Sequence, residues 1–468
     1  MSARSAAAFA TAVGGSLSGA DVGFAAVVTD SRALARGDCF VALVGPRFDG
    51  HEFVPQAAAA GAAMAVVARE CDAPLPQVRV PDTLEALQRF AAEWRRGFDL
   101  PVVGITGSNG KTTLRAMCEA VLAPLGPLLA TEGNRNNHIG LPLTLCRLDA
   151  THRAAVIEMG ANHAGEIAML AGLAAPRIGI VTNAGDAHLE GFGSREGVAR
   201  AKGELFAALP ADGTAIINAD DAYAAYWLGV AGDRRVLRFG LAADAEVRAE
   251  GVEAVDEGAG SRFTLCLPGG DRAAVTLPLP GAHNVRNALA AAAAGHALGL
   301  DAARIAAGLA ATHTPDGRLA SRSAVGGARI IDDSYNANPD SLRAGIALLA
   351  GMHGTRVLAL GEMGELGDAA AARHTEAGRA AREAGIDRLL AVGPMAGLAA
   401  EAFGDGGATF DEPAALAAAL RGELARDWVV LVKGSRSAGM ERVVAALDAG
   451  AADSEPTASG ESHALSRH

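Results

Sequence analysis

Residues 101–113 read PVVGITGSNGKTT, and this stretch decides the fold of the chain. Its apolar start predicts a buried strand, and the glycines that follow predict a tight loop that opens a helix. In such a loop, backbone N–H groups and the positive end of the helix bind phosphate, a lysine reaches the β- and γ-phosphates, and a threonine hydroxyl suits Mg²⁺. The stretch therefore predicts a nucleoside-triphosphate phosphate loop, made of Gly107, Ser108, Asn109, Gly110, Lys111, Thr112 and Thr113.

This loop is shorter than the common phosphate-loop spacing G-x-x-x-x-G-K-[ST]. The first glycine of that pattern would fall at position 105, which is isoleucine, whereas Gly107 gives the shorter spacing G-x-x-G-K-T. The alternative interpretation is a tight structural turn that happens to carry a lysine. Such a turn does not require two glycines, a lysine and a threonine together at the start of a helix, so phosphate binding is favoured.

Length and composition indicate a multidomain protein without a polyanionic partner. A chain of 468 residues is too long for one core, and its length predicts about three domains. The net charge of -12 argues against nucleic acid as a partner. The five cysteines show no C-x-x-C spacing, which is typical of thiols in a reducing compartment. With no signal-peptide pattern and no apolar stretch of membrane-spanning length, we expect a cytoplasmic, monomeric protein without membrane insertion.

The alternation of apolar runs with helical patterns predicts an α/β protein of three domains. Residues 1–99 are predicted to form a smaller N-terminal α/β domain. Residues 100–314 are predicted to form a central domain with a parallel sheet of the phosphate-loop type. Residues 315–450 are predicted to form a C-terminal domain with a Rossmann-like, doubly wound sheet. Within the central domain residues 235–280 alternate like an antiparallel appendage, and the polar residues 451–468 are predicted to be a disordered tail.

Polar side chains at the carboxyl ends of predicted parallel strands are candidates for the site, because ligands bind at that edge. Glu158 ends an apolar run, and Mg²⁺ held by Thr112 needs an acidic partner, although a hydrogen-bonded strand-end carboxylate is the alternative. His188 lies in a glycine-rich loop after the next strand, where a lone histidine is ordinarily a loop residue. Lys202 lies on a predicted helix and, taken alone, would be a solvated surface lysine.

Two further segments carry polar residues whose roles the pattern leaves open. Asn284 and Asn287 lie at the start of an alanine-rich helix, where asparagine is a common cap, and their spacing alone says nothing of a nucleobase. Residues 433–436, Lys-Gly-Ser-Arg, follow an apolar run. They form either an anion-binding turn or a strand terminus.

The segment Asp332–Pro339 places carboxylates and amides after another predicted strand. Asn338 is a plausible helix N-cap, with Pro339 at the first helical position. Capping explains that half of the segment. It does not explain Asp332, Asp333 or Tyr335, which therefore remain candidates for a functional role.

Taken in order, these segments resemble the ATP-dependent Mur ligases of bacterial cell-wall synthesis over nearly the whole chain. The resemblance includes the short phosphate loop and the segment TEGNRNN at 131–137, which is similar to one that precedes the substrate-binding part of the central domain. The segments EMGANH at 158–163, HLEGFG at 188–193 and AKGE at 201–204 resemble the metal-site elements of the family.

The resemblance implies an ATP-dependent amide ligase with two Mg²⁺ ions. It implies that Thr112 and Glu158 hold one Mg²⁺, that Glu158 and His188 reach a second, and that Lys202 is carbamylated. A carbamate is an anionic oxygen donor, which hard Mg²⁺ prefers to an ammonium. The catalytic residues implied are Lys111, Glu158, His188 and Lys202. Further ATP-binding residues implied are Asn284, Asn287, Arg318, Asp333, Tyr335 and Asn336, and substrate-binding residues are Ser31 and Arg32, on the UDP side, with Asn134, Asn136 and Asn137.

Within the family, residues 131–137 and 333–339 favour a ligase that joins D-alanyl-D-alanine to a UDP-linked muramoyl tripeptide through an acyl phosphate. The alternatives are another amino-acid-adding Mur ligase, such as the one that makes the tripeptide, or a folylpolyglutamate synthetase. The alternative from a different functional class is an NTP-binding scaffold without catalysis. The sequence does not identify the third residue of the tripeptide or the groups that recognise D-alanyl-D-alanine, for which residues 361–367 are a candidate.

Overall fold

The computed structural model describes residues 4–255 and 259–449. These residues form two compact units, one of residues up to Val255 together with Gly260–His313, and the other beginning at Thr314. The described residues contain a five-, a nine- and a six-stranded sheet, with a two-stranded hairpin. The predicted class, α/β with parallel sheets, is confirmed. The predicted tail at 451–468 lies outside the described residues. In the part of the chain that is described, no helix is long and apolar enough to cross a membrane.

The N-terminal part is a small sheet flanked by helices. Its sheet has the strand order β1-β7-β6-β3-β2, in which β1 is antiparallel to β7 and the other pairs are parallel. Its elements are α1 (Ala6–Val13), β1 (Ser16–Ser18), β2 (Val27–Val28), β3 (Cys39–Val41), β4 (Val44–Gly45), β5 (Phe48–Asp49), α2 (Val54–Ala59), β6 (Met64–Val67), β7 (Gln77–Arg79) and α3 (Thr83–Arg96).

Helix α3 joins this part to the central sheet. Asp82 caps its first turn by accepting from two backbone N–H groups, and one face of the helix is buried. The buried Arg95 donates to the backbone oxygens of Ala174, Phe98 and Leu100 at 3.1, 2.7 and 3.2 Å. Because a buried guanidinium must have its donors satisfied, these bonds fix the end of α3 against the central part of the same unit.

The central part is built on the nine-stranded sheet, in the order β16-β15-β14-β13-β12-β11-β8-β10-β9. Its elements are β8 (Val102–Thr106), α4 (Lys111–Leu122), β9 (Leu128–Ala130), α5 (Gly140–Leu145), β10 (Ala154–Glu158), α6 (Glu166–Ala174), β11 (Ile178–Val181), α7 (Leu189–Phe192), α8 (Arg195–Ala207), β12 (Thr214–Asn218), α9 (Ala224–Ala231), β13 (Arg235–Gly240), β14 (Val247–Val255), β15 (Gly260–Cys266), β16 (Arg272–Leu277), α10 (Ala282–Ala297) and α11 (Ala302–Ala310). Strands β8, β10, β11 and β12 are buried along their whole length, which explains their uniformly apolar sequence.

The predicted antiparallel appendage at 235–280 is only partly correct. Strands β15 and β16 pair antiparallel, and β15 pairs antiparallel with β14. Strand β13, however, pairs parallel with β12 and continues the main sheet, and β14 begins parallel to β13. Exposed and buried residues mix along β13 because this strand is less completely covered than the inner strands. Such a mixed pattern is also typical of an antiparallel strand, so the sequence pattern predicted the wrong pairing for β13.

The second unit is a doubly wound sheet in the order β17-β18-β22-β19-β20-β21, parallel except for the pair β17–β18. Its elements are β17 (Ala320–Ser323), β18 (Arg329–Asp333), α12 (Pro339–Ala350), β19 (Thr355–Gly361), α13 (Ala370–Glu383), β20 (Arg388–Val392), α14 (Pro394–Phe403), β21 (Gly407–Phe410), α15 (Pro413–Glu423), β22 (Trp428–Lys433) and α16 (Glu441–Leu447). Alternate residues of the strands enter two separate cores, one under α12–α14 and one under α15 and α16. The prediction of a Rossmann-like sheet is therefore confirmed.

Candidate active site

The phosphate loop lies between β8 and the first turn of α4, as predicted. Two of its glycines are required by their surroundings. Gly107 has φ 142°, and a Cβ there would lie 1.9 Å from Thr182 Oγ1. Gly110 has φ 83°, and a Cβ there would lie 2.7 Å from Asn287 Oδ1. Both the backbone conformation and the close packing therefore exclude a larger residue at these two positions.

The segment after β11 holds the loop in place. The N–H of Asn109 donates to Asn183 Oδ1 at 3.0 Å, and the N–H of Ser108 donates to the Asn183 carbonyl at 3.0 Å. Thr182 Oγ1 donates to the Asn109 carbonyl at 2.6 Å, and Ser108 Oγ accepts from the N–H of Gly185 at 2.9 Å. Thr182 and Asn183 were not singled out in the sequence, although they end a strand beside β8.

The side chains of Thr112 and Glu158 meet at the mouth of this loop. Thr112 Oγ1 donates to Glu158 Oε2 at 3.0 Å, and both side chains are buried. They meet because β10, which ends at Glu158, is the parallel neighbour of β8. Lys111 Nζ donates to the carbonyls of Gly107 and Ser108 at 2.8 and 3.3 Å, so its ammonium lies over the loop that it follows.

Glu158 has further partners that the sequence did not reveal. Asn136 Nδ2 donates to Glu158 Oε1 at 2.8 Å, and the guanidinium of Arg115 lies 3.9 Å from Glu158 Oε2. Arg115 Nε is buried without a hydrogen-bond acceptor. Arg115 follows Thr112 by three residues on α4 and so shares its helix face, a spacing that could have signalled it.

The other asparagines of the 131–137 segment have separate surroundings. Asn137 Oδ1 accepts from the N–H groups of Ile139 and Gly140 at 3.1 and 2.8 Å and so caps the start of α5. Asn134 is exposed. Of the three asparagines predicted to bind substrate, only Asn136 is bonded to a predicted catalytic residue, Glu158.

Lys202 is buried in α8, with 1% of its surface exposed, so the alternative of a solvated surface lysine is wrong. Its Nζ lies 3.4 Å from the Ala161 carbonyl and 5.0 Å from the centre of the Phe192 ring. Burial, with a contribution from the nearby charge of Lys111, lowers the pKa of Lys202 to about 7, although Glu166 and Glu204 oppose this shift. A large fraction of this amine is therefore unprotonated at neutral pH.

His188 lies near the same ring. It precedes α7 in a left-handed conformation, with φ 55°, and its ring packs edge-on against Phe192 at 6.4 Å. Among the described residues, no three His, Cys, Asp or Glu side chains gather in a metal-binding cluster. Thr112 and Glu158 supply hard oxygen donors at one point, which fits Mg²⁺, an ion that usually takes few protein ligands beside phosphate and water.

Asn284 and Asn287 are buried in the first turns of α10, whose N-cap is Gly281, so the capping interpretation is wrong. Asn284 Nδ2 donates to the Pro280 carbonyl at 2.8 Å. Asn287 Nδ2 lies 3.4 Å from Asn284 Oδ1 and, as described above, Asn287 packs against Gly110. The two amides thus lie behind the phosphate loop.

Ser31 and Arg32 lie in the loop after β2. Arg32 forms an ion pair with Asp30 at 2.8 Å and is largely exposed. Ser31 Oγ lies 3.4 Å from Gln56 Oε1. This loop follows the carboxyl end of a parallel strand, which is where a ligand of this small sheet would bind.

In the second unit, Asp333 is bonded to a lysine that the sequence did not link to it. Lys433 Nζ donates to Asp333 Oδ2 at 2.5 Å and to the Asn336 carbonyl at 3.0 Å, and only 2% of Lys433 is exposed. The pair forms because β18 and β22 are parallel neighbours with Asp333 opposite Lys433. Burial raises the pKa of Asp333, while the charges of Lys433 and Arg318 act in the opposite direction.

Tyr335 lies between two guanidinium groups of the same unit. Arg318 is 4.3 Å and Arg436 is 5.8 Å from the centre of its ring. The predicted cap is also correct: Asn338 caps α12 in a reciprocal capping box with Ser341, and Pro339 is its first residue. The second unit therefore gathers Arg318, Asp333, Tyr335 and Asn336 at the carboxyl edge of its sheet.

A glycine phosphate loop at the edge of a parallel sheet, beside a buried threonine–carboxylate pair, defines a nucleotide-using α/β enzyme. Comparisons with known proteins narrow this class. Family models match residues 24–95 (Mur ligase family, catalytic domain), 105–295 (Mur ligase middle domain) and 317–436 (Mur ligase, glutamate ligase domain).

Individual relatives match most of the chain. The UDP-N-acetylmuramoyl-tripeptide--D-alanyl-D-alanine ligase of Escherichia coli (strain K12) is 46% identical over 92% of this chain and 96% of its own length. MurF of Acinetobacter baumannii has a TM-score of 0.89 at 35% identity, covering 95% of this chain and 98% of that one. MurF ligase of Thermotoga maritima, solved in complex with ADP, has a TM-score of 0.80 at 28% identity, covering 90% and 96%. The chain belongs to the Mur ligase family and is an ATP-dependent ligase that forms an amide bond.

Proposed function

We propose that this ligase joins D-alanyl-D-alanine to a UDP-N-acetylmuramoyl-tripeptide in the synthesis of peptidoglycan precursors. The names and high coverage of its relatives support the substrates. The observation that carries the chemistry is the convergence of Thr112 and Glu158 at the mouth of the phosphate loop. Enzymes with a phosphate loop transfer phosphoryl groups at such a point, where hydroxyl and carboxylate oxygens meet at the start of a helix that carries a lysine.

The reaction divides one difficult step into two. The substrate carboxylate attacks the γ-phosphorus of ATP and releases ADP, and the amine of D-alanyl-D-alanine then attacks the acyl phosphate and releases phosphate. Lys111 leaves the loop carbonyls and stabilises the charge that develops on the phosphoryl oxygens, together with the N-terminus of α4. In this proposal Asn284 and Asn287 lie on the adenine side of ATP, and the loop Gly107–Thr113 binds the phosphates with N–H groups from the start of α4.

Thr112, Glu158, His188 and carbamylated Lys202 hold two Mg²⁺ ions in this proposal. When bound, Mg²⁺ neutralises part of the charge of the converging phosphates and carboxylate. The unprotonated amine of Lys202 attacks the carbon of CO₂, a C–N bond forms, and one proton leaves the nitrogen. The low pKa of Lys202 supports this step, because only the free amine has the lone pair.

The remaining roles follow from position at sheet edges. Ser31 and Arg32 bind the UDP side, and Asn134, Asn136 and Asn137 lie towards the peptide. Arg318, Asp333, Tyr335 and Asn336 act on ATP from the second unit and exclude water from the acyl phosphate. We retain three functional domains, 1–99, 100–314 and 315–450. The five free cysteines, four of them buried, support a cytoplasmic enzyme, and we propose a monomer.

The test is ADP and phosphate release by the full chain, measured with each substrate omitted in turn. We expect release that depends on both the UDP-linked tripeptide and D-alanyl-D-alanine, and a product mass equal to their sum less water. The Lys111→Ala variant should be inactive but folded, beside Arg200→Met as a basic surface control. Turnover of Lys111→Ala within about tenfold of wild type, ~1.4 kcal/mol, would contradict the phosphate-loop role. Nucleotide binding without substrate-dependent release would identify a scaffold.

A further inference from the structure

The chain contains only three lysines, Lys111, Lys202 and Lys433, among 41 basic residues, so arginine serves nearly every other basic position. Lys111 and Lys202 lie at the nucleotide site. Lys433 has no role in the function proposed above. A composition that uses arginine almost everywhere else indicates that the remaining lysines occupy positions where a guanidinium does not serve.

The surroundings of Lys433 agree with this. Its side chain is buried at the carboxyl end of β22, and its ammonium contacts Asp333 Oδ2 and the Asn336 carbonyl at 2.5 and 3.0 Å. A compact ammonium can bond to both oxygens from the end of one strand, whereas a planar guanidinium is wider and presents its donors in a fixed fork.

These contacts join the two ends of a short loop. Asp333 ends β18 and Asn336 lies three residues later, so one ammonium fixes both and thereby the backbone that carries Tyr335 between them. Without Lys433, Asp333 would be a largely buried carboxylate that keeps only the charge of Arg318 nearby, which is costly. We propose that Lys433 is a positioning residue that holds the Asp333–Asn336 loop in the conformation that acts on ATP. This inference rests on the proposed function of that loop.

The test is a double-mutant cycle in the full chain with Lys433→Met, Asp333→Asn and the double variant, beside Arg343→Met. Arg343 is the matched control, because it forms an exposed ion pair with Asp340 on the helix that follows the loop. We expect Lys433→Met to lower kcat about 100-fold while the UDP-tripeptide affinity changes less than about twofold. Since Lys433 acts through Asp333, the loss in the double variant should be close to that of Asp333→Asn alone.

Three results would overturn the proposal. The first is a fold-loss in kcat of the double variant that equals the product of the fold-losses of the two single variants, which would mean that Lys433 acts independently of Asp333. Another is a folded Lys433→Met with near-normal kcat. The third is unchanged hydrogen exchange of residues 333–336 in nucleotide-free Lys433→Met, since a positioned loop must loosen when its anchor is removed.

Two controls keep the test decisive. If Lys433→Met does not fold, Lys433→Arg, which keeps the charge, takes its place in the cycle. Failure of the proposed function would be seen separately, as wild-type enzyme that releases no ADP with both substrates, and the hydrogen-exchange comparison would still report on the loop.

Discussion

Two lysines of this protein are buried, Lys202 on helix α8 and Lys433 at the end of strand β22, and their hydrogen-bond partners differ. Lys202, 1% exposed, lies beside a carbonyl and an aromatic ring, and burial lowers its pKa to about 7. Lys433, 2% exposed, is bonded directly to the carboxylate of Asp333. Burial alone therefore does not set the role of a lysine. Without a bonded carboxylate, burial favours the neutral amine, whereas a bonded carboxylate compensates for part of the cost of burying the ammonium.

The largest expected effect is on activity at the central edge. Lys202→Met should lower turnover at least about a thousandfold, ~4 kcal/mol, because it removes the amine that is proposed to become a carbamate. A short carboxylate added in solution should restore part of the activity. Steady-state kinetics of Lys202→Met beside Arg200→Met, on the same helix but exposed, make the measurement. Normal turnover of Lys202→Met would contradict a direct role of Lys202 in the reaction, and with it the proposed difference in role from Lys433.

The next effect is on stability and distinguishes the two lysines directly. Lys433→Met should lower the free energy of unfolding of the second unit by about 3 kcal/mol, because Asp333, whose side chain is only 15% exposed, loses its hydrogen-bonded cation. Lys202→Met should not destabilise the first unit, since it replaces a buried amine that has no carboxylate partner, only a long bond to the Ala161 carbonyl, by an apolar side chain of similar length. Hydrogen exchange of β22 and α8 amides in each variant tests this. Equal losses in the two variants would contradict the comparison.

A smaller effect is the pH dependence that belongs to Lys202. Its pKa is about 7 in the folded chain and lies below its ordinary value of 10.5. Between these values the unfolded chain binds more protons at this site, so folding stability should rise with pH relative to Lys202→Met, by at most ~1.4 kcal/mol per pH unit. The cost of burying the ammonium is complete below pH 7.

Urea unfolding of both proteins between pH 6 and 9 in CO₂-free buffer measures this difference. Turnover at fixed dissolved CO₂ should fall below about pH 7, because the protonated amine cannot attack CO₂. A constant difference in stability across this range would mean that Lys202 keeps its ordinary pKa.

The smallest effect concerns the cation beside Glu158. Arg115 Nε lies 3.9 Å from the carboxylate, a much looser contact than the 2.5 Å pair of Lys433 and Asp333. Because a nearby cation opposes the binding of a second cation, Arg115→Met should lower the Mg²⁺ concentration needed for half-maximal activity, but only about threefold, ~0.7 kcal/mol. A Mg²⁺ titration beside Arg200→Met, which removes a similar i,i+4 ion pair at the surface, checks this. A hundredfold shift in the Mg²⁺ concentration for half-maximal activity would show that Arg115 interacts with Glu158 as strongly as Lys433 interacts with Asp333.

Local features of this protein could be predicted from the sequence because their causes lie within a few residues. Glycine, lysine and threonine at the start of α4 indicated the phosphate loop, uniformly apolar runs indicated the inner parallel strands, and Asn338-Pro339 indicated the start of α12. The position of Glu158 at the end of such a run indicated that it faces the loop, because carboxyl ends of parallel strands meet at one edge.

Long-range pairing was decided only by the tertiary structure. The order of the strands and the parallel pairing of β13 depend on neighbours that are distant in sequence. The hydrogen bond that Asn136 donates to Glu158 depends on such neighbours too. Lys202 looks like a surface residue until the packing of α8 against α7 places it beside Phe192, and Asp333 and Lys433 meet only through the register of β18 with β22. The sequence by itself determined which chemical groups stand at the strand ends. The packing of the sheets decided which of them meet, because burial and the choice of partner depend on contacts between residues far apart in sequence, such as Asp333 and Lys433, which are 100 positions apart.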